Sequence, residues 1–155
     1  MKLKVSSCIG IAKAITALDL GYTTVVKLAN GEKTAVNEAF DFPSQVRWNL
    51  AKNLRILKGI KDDRDAAADA SLRALSKGVG ILNPEKSPAE FAKHQQAVLD
   101  LDAREIDVKG LLKISLSALL GKEDKPNPVP GVILEALAPL IDDNLPAPKK
   151  GDELS

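Results

Sequence analysis

The sequence predicts a mainly α-helical protein with a small antiparallel β element, that is, an α+β fold. Apolar residues keep a helical period from about residue 43 to residue 77, which is far longer than a strand. Aromatic residues make up only 3% of the chain, so Leu, Ile, Val and Ala must form the core. A β-branched segment followed by Asn30-Gly31 supplies the clearest hairpin signal. With 155 residues, the chain is expected to form a single domain.

A short helix is predicted near the N-terminus. Ser7 can cap its first turn, and Gly21 can end it. Residues spaced three or four apart then form one apolar seam, which consists of Cys8, Ile11, Ile15 and Leu18.

A β-hairpin is predicted next. Residues 23–28 are rich in β-branched side chains, and residues 32–36 form a second candidate strand. Asn30-Gly31 between them favours a type I′ turn.

The long helix is predicted to begin at about Pro43, after Asp41 as a cap, and to run to about Lys77. At about 1.5 Å per residue it would span roughly 50 Å. Gly59 in its middle indicates a kink or the close approach of another helix. The buried stripe is predicted to be Val46, Leu50, Leu54 and Leu57. Later positions present small residues, namely Ala66, Ala67, Ala68, Ala70 and Ala74.

The C-terminal half combines short elements. Ser87-Pro88-Ala89-Glu90 is a capping box that opens a helix to about Ala103. Alternating apolar residues from 106 to 116 predict one or two strands with a break near Gly110. The Pro-rich segment near 125–131 is expected to act as a spacer. An apolar helix should follow over 132–141, and the tail from about residue 144 is expected to be loose.

Composition excludes several classes of protein. The formal net charge of +1 gives no overall attraction to nucleic acid or to an anionic membrane. No segment approaches the roughly 20 apolar residues of a membrane span. Lys13 and Asp19 interrupt the apolar run near the N-terminus, which argues against a signal peptide. A cytoplasmic location is therefore expected.

Catalytic and metal-binding patterns are weak. Cys8 and His94 are the only residues of their types, so a thiolate cluster or an HExxH-type site cannot form. No glycine-rich phosphate loop is present. The acidic residues of the long helix lack calcium-loop spacing and are interpreted as a solvated face: Asp62, Asp63, Asp65 and Asp69. The sequence therefore predicts no catalytic residue, no metal site and no cofactor, and the protein is expected not to be an enzyme.

One face of the long helix carries more specific chemistry. Trp48, Lys52, Arg55 and Gly59 fall opposite the apolar stripe. Residues 44–61 contain five basic residues and no acidic one. Three interpretations are open: the indole is covered by its own chain, it lies in a subunit interface, or it forms part of a site for an anionic ligand.

A longer pattern resembles a group of viral proteins. After Phe42-Pro43, the run Trp48-Asn49-Leu50-Ala51-Lys52 leads to the acidic, Arg-containing stretch Asp62-Asp63-Arg64-Asp65. Glu105-Ile106-Asp107-Val108 and Leu134-Glu135-Ala136-Leu137 follow. Over about residues 42–142 this is similar to small, uncharacterised proteins of tailed bacteriophages. The resemblance implies a phage origin and a location in the bacterial cytoplasm or the virion, and it carries no activity or functional residues.

Two hypotheses of function follow. The leading one is a non-enzymatic phage-type protein that acts through protein–protein assembly, as a homo-oligomer or with another phage or host protein. The alternative is a protein that sequesters a small anionic ligand, such as a nucleotide signal, to counter a host pathway. Its site would be a basic pocket between subunits that contains Trp48.

Overall fold

The structure is a computed structural model that describes residues 1–145, and it confirms the α+β class. Its central element is one unbroken helix, α2 (Ser44–Leu75), within one or two residues of the predicted bounds. Val46, Leu50 and Leu57 of the predicted stripe are buried, and Leu54 is half-buried. Lys77 has a left-handed φ of 55° just beyond the helix, and the amide of Gly78 donates to the carbonyl of Arg73. These contacts end α2 as a Schellman motif.

Four further helices surround this element in the sequence. They are α1 (Val5–Leu20), α3 (Pro88–Ala103), α4 (Leu116–Leu120) and α5 (Gly131–Leu137), and a 3-10 turn (Ala138–Leu140) follows α5. The predicted seam of α1 is buried, but Ser7 lies inside the helix and does not cap it. A strand runs directly into Val5, so the helix begins three residues earlier than a cap at Ser7 would give.

The strands form two-stranded pairs. They are β1 (Lys2–Lys4), β2 (Tyr22–Lys27), β3 (Lys33–Glu38), β4 (Glu105–Asp107), β5 (Ile114–Ser115), β6 (Gly121–Lys122), β7 (Lys125–Pro126) and β8 (Ile141–Asp142). The antiparallel β2–β3 pair is the hairpin that the sequence predicted. The β1–β4 and β6–β7 pairs are also antiparallel and β5–β8 is parallel, and the sequence predicted none of these three pairings. Within residues 1–145, neither outer edge of the β2–β3 hairpin pairs with another strand.

Two local predictions were wrong in detail. A type I′ turn needs a positive φ at both Asn30 and Gly31, but only Gly31 has one, at 84°. The amide of Gly31 instead donates to the carbonyl of Leu28, and the side chain of Asn30 accepts from the amide of Glu32. The Ser87 side chain makes no capping hydrogen bond among the described residues, although α3 begins at Pro88 as expected.

The chain divides into two compact units. The first consists of residues 1–10 and 55–110. In it, β1 pairs with β4 so that Leu3 lies opposite Ile106. The guanidinium group of Arg64 on α2 binds the Asp102 carboxylate on α3 through two hydrogen bonds of 2.8 and 3.1 Å. The buried apolar residues of this unit are Leu3, Val5, Cys8, Leu57 and Val108.

The second unit consists of residues 11–54 and 111–155, of which the structure describes those up to 145. Its core is built by side chains from α1, α2, α4, α5, β5, the 3-10 turn and the segment before α2. The most deeply buried are Ile11, Ile15, Leu18, Phe40, Val46, Ile114, Leu119, Leu137 and Leu140. The 144–145 part of the predicted tail lies in a bend, and the remainder lies outside the described residues.

The buried side-chain amide of Asn53 connects α2 to the rest of the second unit. Asn53 is fully buried, and its Nδ2 donates to the carbonyl of Leu112 at 2.8 Å. The amide of Leu112 donates back to Oδ1 of Asn53 at 2.7 Å. The side chain thereby satisfies both backbone groups of Leu112, as a neighbouring strand would.

Replacing Asn53 by Ala should destabilise the protein by about 3 kcal/mol, because two backbone groups would lose their partners in a buried setting. The measurement is the free energy of unfolding in urea, with circular dichroism as the signal. The matched control is Asn49→Ala, one turn earlier on α2, where the side chain is half-buried and reaches the Lys113 carbonyl at 3.4 Å. That variant should lose less than about 1 kcal/mol. Equal losses in the two variants would contradict a special role for Asn53.

Candidate interaction face on the long helix

The four residues singled out from the sequence all lie at the surface of α2. We call Trp48, Lys52, Arg55 and Gly59 the Trp48 face. The side chain of Trp48 is 49% exposed, and the other three residues are also exposed. The indole is therefore not covered by its own chain in the part that the structure describes, which disfavours the first of the three interpretations.

The Trp48 indole already contacts one cation, the ammonium group of Lys52. Nζ of Lys52 lies 5.3 Å from the centre of the Trp48 ring. The two residues are one helical turn apart, so the backbone of α2 sets this arrangement. A cation over an exposed ring contributes about 0.5–1 kcal/mol and leaves the outer face of the pair open to solvent.

The five basic residues of α2 between positions 44 and 61 divide into two that have a polar or acidic partner in the chain and three that have no acidic one. Arg47 faces its own unit: its guanidinium group donates to the Phe40 carbonyl and lies 5.6 Å from the centre of the Phe42 ring. Lys61 pairs with Asp65 at 2.7 Å. Lys52, Arg55 and Lys58 have no carboxylate within ion-pair distance among residues 1–145. Of these three, Lys52 and Arg55 supply the positive charge of the Trp48 face, and Lys58 lies beside it.

Gly59 does not mark a close approach within the chain. Apart from its chain neighbours and the surrounding backbone of α2, a Cβ atom built on Gly59 would meet no described atom within 4 Å. The expected contact with another helix of the same chain is therefore absent from the described structure. The small residues that follow are also largely open, since Ala66, Ala67, Ala70 and Ala74 are exposed.

The later half of α2 carries its own ion pairs. Nε of Arg73 lies 2.8 Å from the Asp69 carboxylate, and this hydrogen bond raises the pKa of Arg73. The hydrogen bond from Lys61 lowers the pKa of Asp65 and raises that of Lys61. All these groups are substantially exposed, so each pair contributes little to stability. Their main effect is to fix where charge is presented along the helix.

The other chemically reactive residues lie elsewhere. Cys8 is fully buried, and burial raises the pKa of its thiol, which lowers its reactivity. His94 is half-buried, and its Nδ1 lies 3.3 Å from the Ser71 hydroxyl. In the described part of the chain, no three His, Cys, Asp or Glu side chains are grouped so that they could hold a metal ion.

Sequence reasoning missed two features of the second unit. One is Asn53, which occupies the stripe between Leu50 and Leu57; its helical spacing from them was the available signal. The other is an apolar groove of about 280 Å³. Its walls are formed by Ile15, Leu18, Asp19, Phe42, Arg47, Leu50, Ala51 and Leu54.

The fold and the Trp48 face together define a helical α+β protein with an exposed aromatic and basic surface. Comparison of the chain with protein family models, with curated proteins and with solved structures gives no match. The resemblance to bacteriophage proteins thus stays a prediction. Among the described helices, none is long and apolar enough to cross a bilayer.

The charge around Trp48 can be measured directly, because Trp48 is the chain's only tryptophan. Relative to its quenching of a free, uncharged tryptophan amide, iodide should quench Trp48 more strongly than caesium does, since Lys52 and Arg55 raise the local concentration of anions. Lys52→Ala should reduce iodide quenching by about twofold. The control Lys93→Ala changes an exposed lysine of α3 and should leave the quenching unchanged. Equal quenching by the two ions in the unaltered protein, each taken relative to the free tryptophan amide, would contradict a basic surface around the indole.

Proposed function

We propose that this protein acts without catalysis, by assembling into a homo-oligomer through the exposed side of α2. The observation that carries the proposal is the half-exposed Trp48 on an unbroken helix. Trp is the side chain most strongly enriched among residues that dominate binding energy in protein interfaces. A second subunit would remove this indole from water, which a single chain leaves half in solvent.

The surroundings of Trp48 support the same proposal. Gly59 and the exposed alanines of α2 have small side chains, so another helix can approach this side closely. Lys52, Arg55 and Lys58 can pair with carboxylates of a partner without breaking an ion pair of their own. We further propose a phage-type protein that works in the host cytoplasm or the virion; this part rests on the sequence resemblance alone.

A second candidate function is supported by the same cations. Lys52 lies over the indole, and Arg55 follows at the next turn of the face, so a planar anionic ligand could stack on the ring and bind both charges. This alternative is the sequestration of a nucleotide-type signal.

If the protein assembles through Trp48, the molecular mass measured in solution should fall when Trp48 is replaced. Trp48→Ala should weaken association by about 2 kcal/mol, or about thirtyfold in Kd, because an interface indole is lost. Light scattering over a range of concentrations should show the variant shifted toward the monomer. The matched control is Leu99→Ala, which removes an exposed apolar side chain from α3 and should leave the mass unchanged.

Two results would overturn the assembly proposal. One is a monomeric unaltered protein at every concentration, and the other is an oligomer that Trp48→Ala leaves intact. Ligand sequestration is distinguished by a thermal shift with nucleotides. It requires stabilisation that disappears in the double variant Lys52→Ala and Arg55→Ala while the mass stays the same.

A further inference from the structure

The Trp48 face continues along the whole exposed side of α2. Eight exposed residues follow one another at alternating spacings of four and three. We call them the exposed seam: Trp48, Lys52, Arg55, Gly59, Asp62, Ala66, Asp69 and Arg73. This is the spacing by which residues of one helix contact a second helix in a coiled coil. Since most of the seam is polar, hydrophobic periodicity alone does not reveal it.

The exposed seam of one helix is complementary to the exposed seam of a second copy that runs in the opposite direction. About a point between Ile60 and Lys61, Trp48 is matched with Arg73 and Lys52 with Asp69. Closer to that point, Arg55 is matched with Ala66 and Gly59 with Asp62. The first two matches bring together side chains that attract each other, and the last two bring a larger residue against a smaller one.

We propose that a second copy of this chain packs antiparallel against the exposed seam, with a twofold axis that passes between Ile60 and Lys61. This inference rests on the proposed homo-oligomer and specifies its geometry. Twofold symmetry uses each contact twice, so Trp48 of either copy lies against Arg73 of the other.

The distribution of charge along α2 favours an antiparallel over a parallel arrangement of the two helices. Residues 44–61 contain five basic and no acidic residues, whereas residues 62–75 contain four aspartates and two arginines. An antiparallel arrangement places the basic half of one helix against the acidic half of the other. A parallel arrangement would place the two basic halves together, and like charges at an interface select against that pairing.

The interacting groups are already in position on the single chain. Lys52 lies 5.3 Å from the Trp48 ring centre, and Arg73 lies 2.8 Å from the Asp69 carboxylate. In the proposed dimer these two pairs face each other. The Lys52 ammonium then meets the Asp69 carboxylate, and the Arg73 guanidinium meets the indole. All four side chains are exposed, so a second copy can reach them from solvent.

The centre of the seam fits a close crossing of the helices. Gly59 lies next to the axis, and apart from its chain neighbours and the surrounding backbone of α2 no described atom lies within 4 Å of where its Cβ would stand. Arg55, which is large, lies opposite Ala66, which is small. Helices can therefore approach within the 8–10 Å that is usual for packed pairs.

Charge reversal tests the proposed register. Lys52→Glu alone and Asp69→Lys alone should each raise the dimer Kd about tenfold, because each places like charges opposite each other twice. The double variant restores opposite charges and should return to within about threefold of the unaltered Kd. Sedimentation equilibrium gives the Kd values, and circular dichroism confirms that each variant is folded. Lys93→Glu on α3 is the control for a general effect of charge and should leave the Kd unchanged.

Disulfide formation tests the direction independently. A mixture of Arg55→Cys and Ala66→Cys proteins should form the 55–66 disulfide between chains. Either variant alone should not, because equivalent residues 55 would lie roughly 16 Å apart along the axis at about 1.5 Å per residue. The natural Cys8 is fully buried and does not compete.

The outcomes separate the two proposals. A dimer that Trp48→Ala weakens, but in which the charge-reversed double variant is no tighter than the single variants, overturns the register and leaves assembly standing. A predominant 55–55 disulfide would establish a parallel pair and overturn the antiparallel direction. A monomer at every concentration overturns both proposals.

Discussion

The paired amide of Asn53 is the contact that sets the orientation of α2 in the second unit. A buried amide must find both a donor and an acceptor, and Leu112 supplies them at 2.7 and 2.8 Å. Apolar contacts would tolerate a small rotation of the helix about its axis, but these two hydrogen bonds do not. Trp48 precedes Asn53 by five residues, which places it about 140° away around the helix. The rotation of α2 about its axis that lets Asn53 bond to Leu112 therefore directs the Trp48 indole toward solvent.

Asn127 plays a comparable part in the same unit. Its side chain accepts a hydrogen bond from the amide of Asp41 and donates to the carbonyls of Asp41 and Leu119. These bonds tie the segment before α2 to the end of α4 and the segment after β7. Two asparagines thus perform, for irregular segments, the pairing that a wider sheet would provide. This explains how a chain with only two-residue strands in this region keeps a defined core.

The sequence contains enough information for the helices and much less for the remaining structure. The α2 and α3 bounds were predictable because a periodic stripe and Pro88 mark them. The β1–β4 and β5–β8 pairs were not, because two or three residues carry no measurable alternation and their partners are distant in sequence. The hairpin turn was mispredicted because Asn30 accepts a hydrogen bond from Glu32 without entering the left-handed region.

The candidate site was partly predictable for a similar reason. Helical spacing was enough to group Trp48 with Lys52, since both belong to one element. Whether the indole is covered depends on the other elements, and an indole suits both a core and an interface. Asn53 was missed because its partner, Leu112, lies 59 residues away in the sequence.

Among residues 1–145 no strand pairs with either outer edge of the β2–β3 hairpin, and the hairpin exposes valines, including Val25 and Val26. Such ribbons tend to stack edge to edge and to aggregate. Here Lys27 lies directly opposite Lys33 beside the turn, so the ribbon holds two like charges together at one end. This arrangement costs the hairpin some stability, but it makes an approaching copy of the ribbon meet repulsion first. The lysine pair is thus the kind of charged feature that opposes edge-to-edge association of exposed strands.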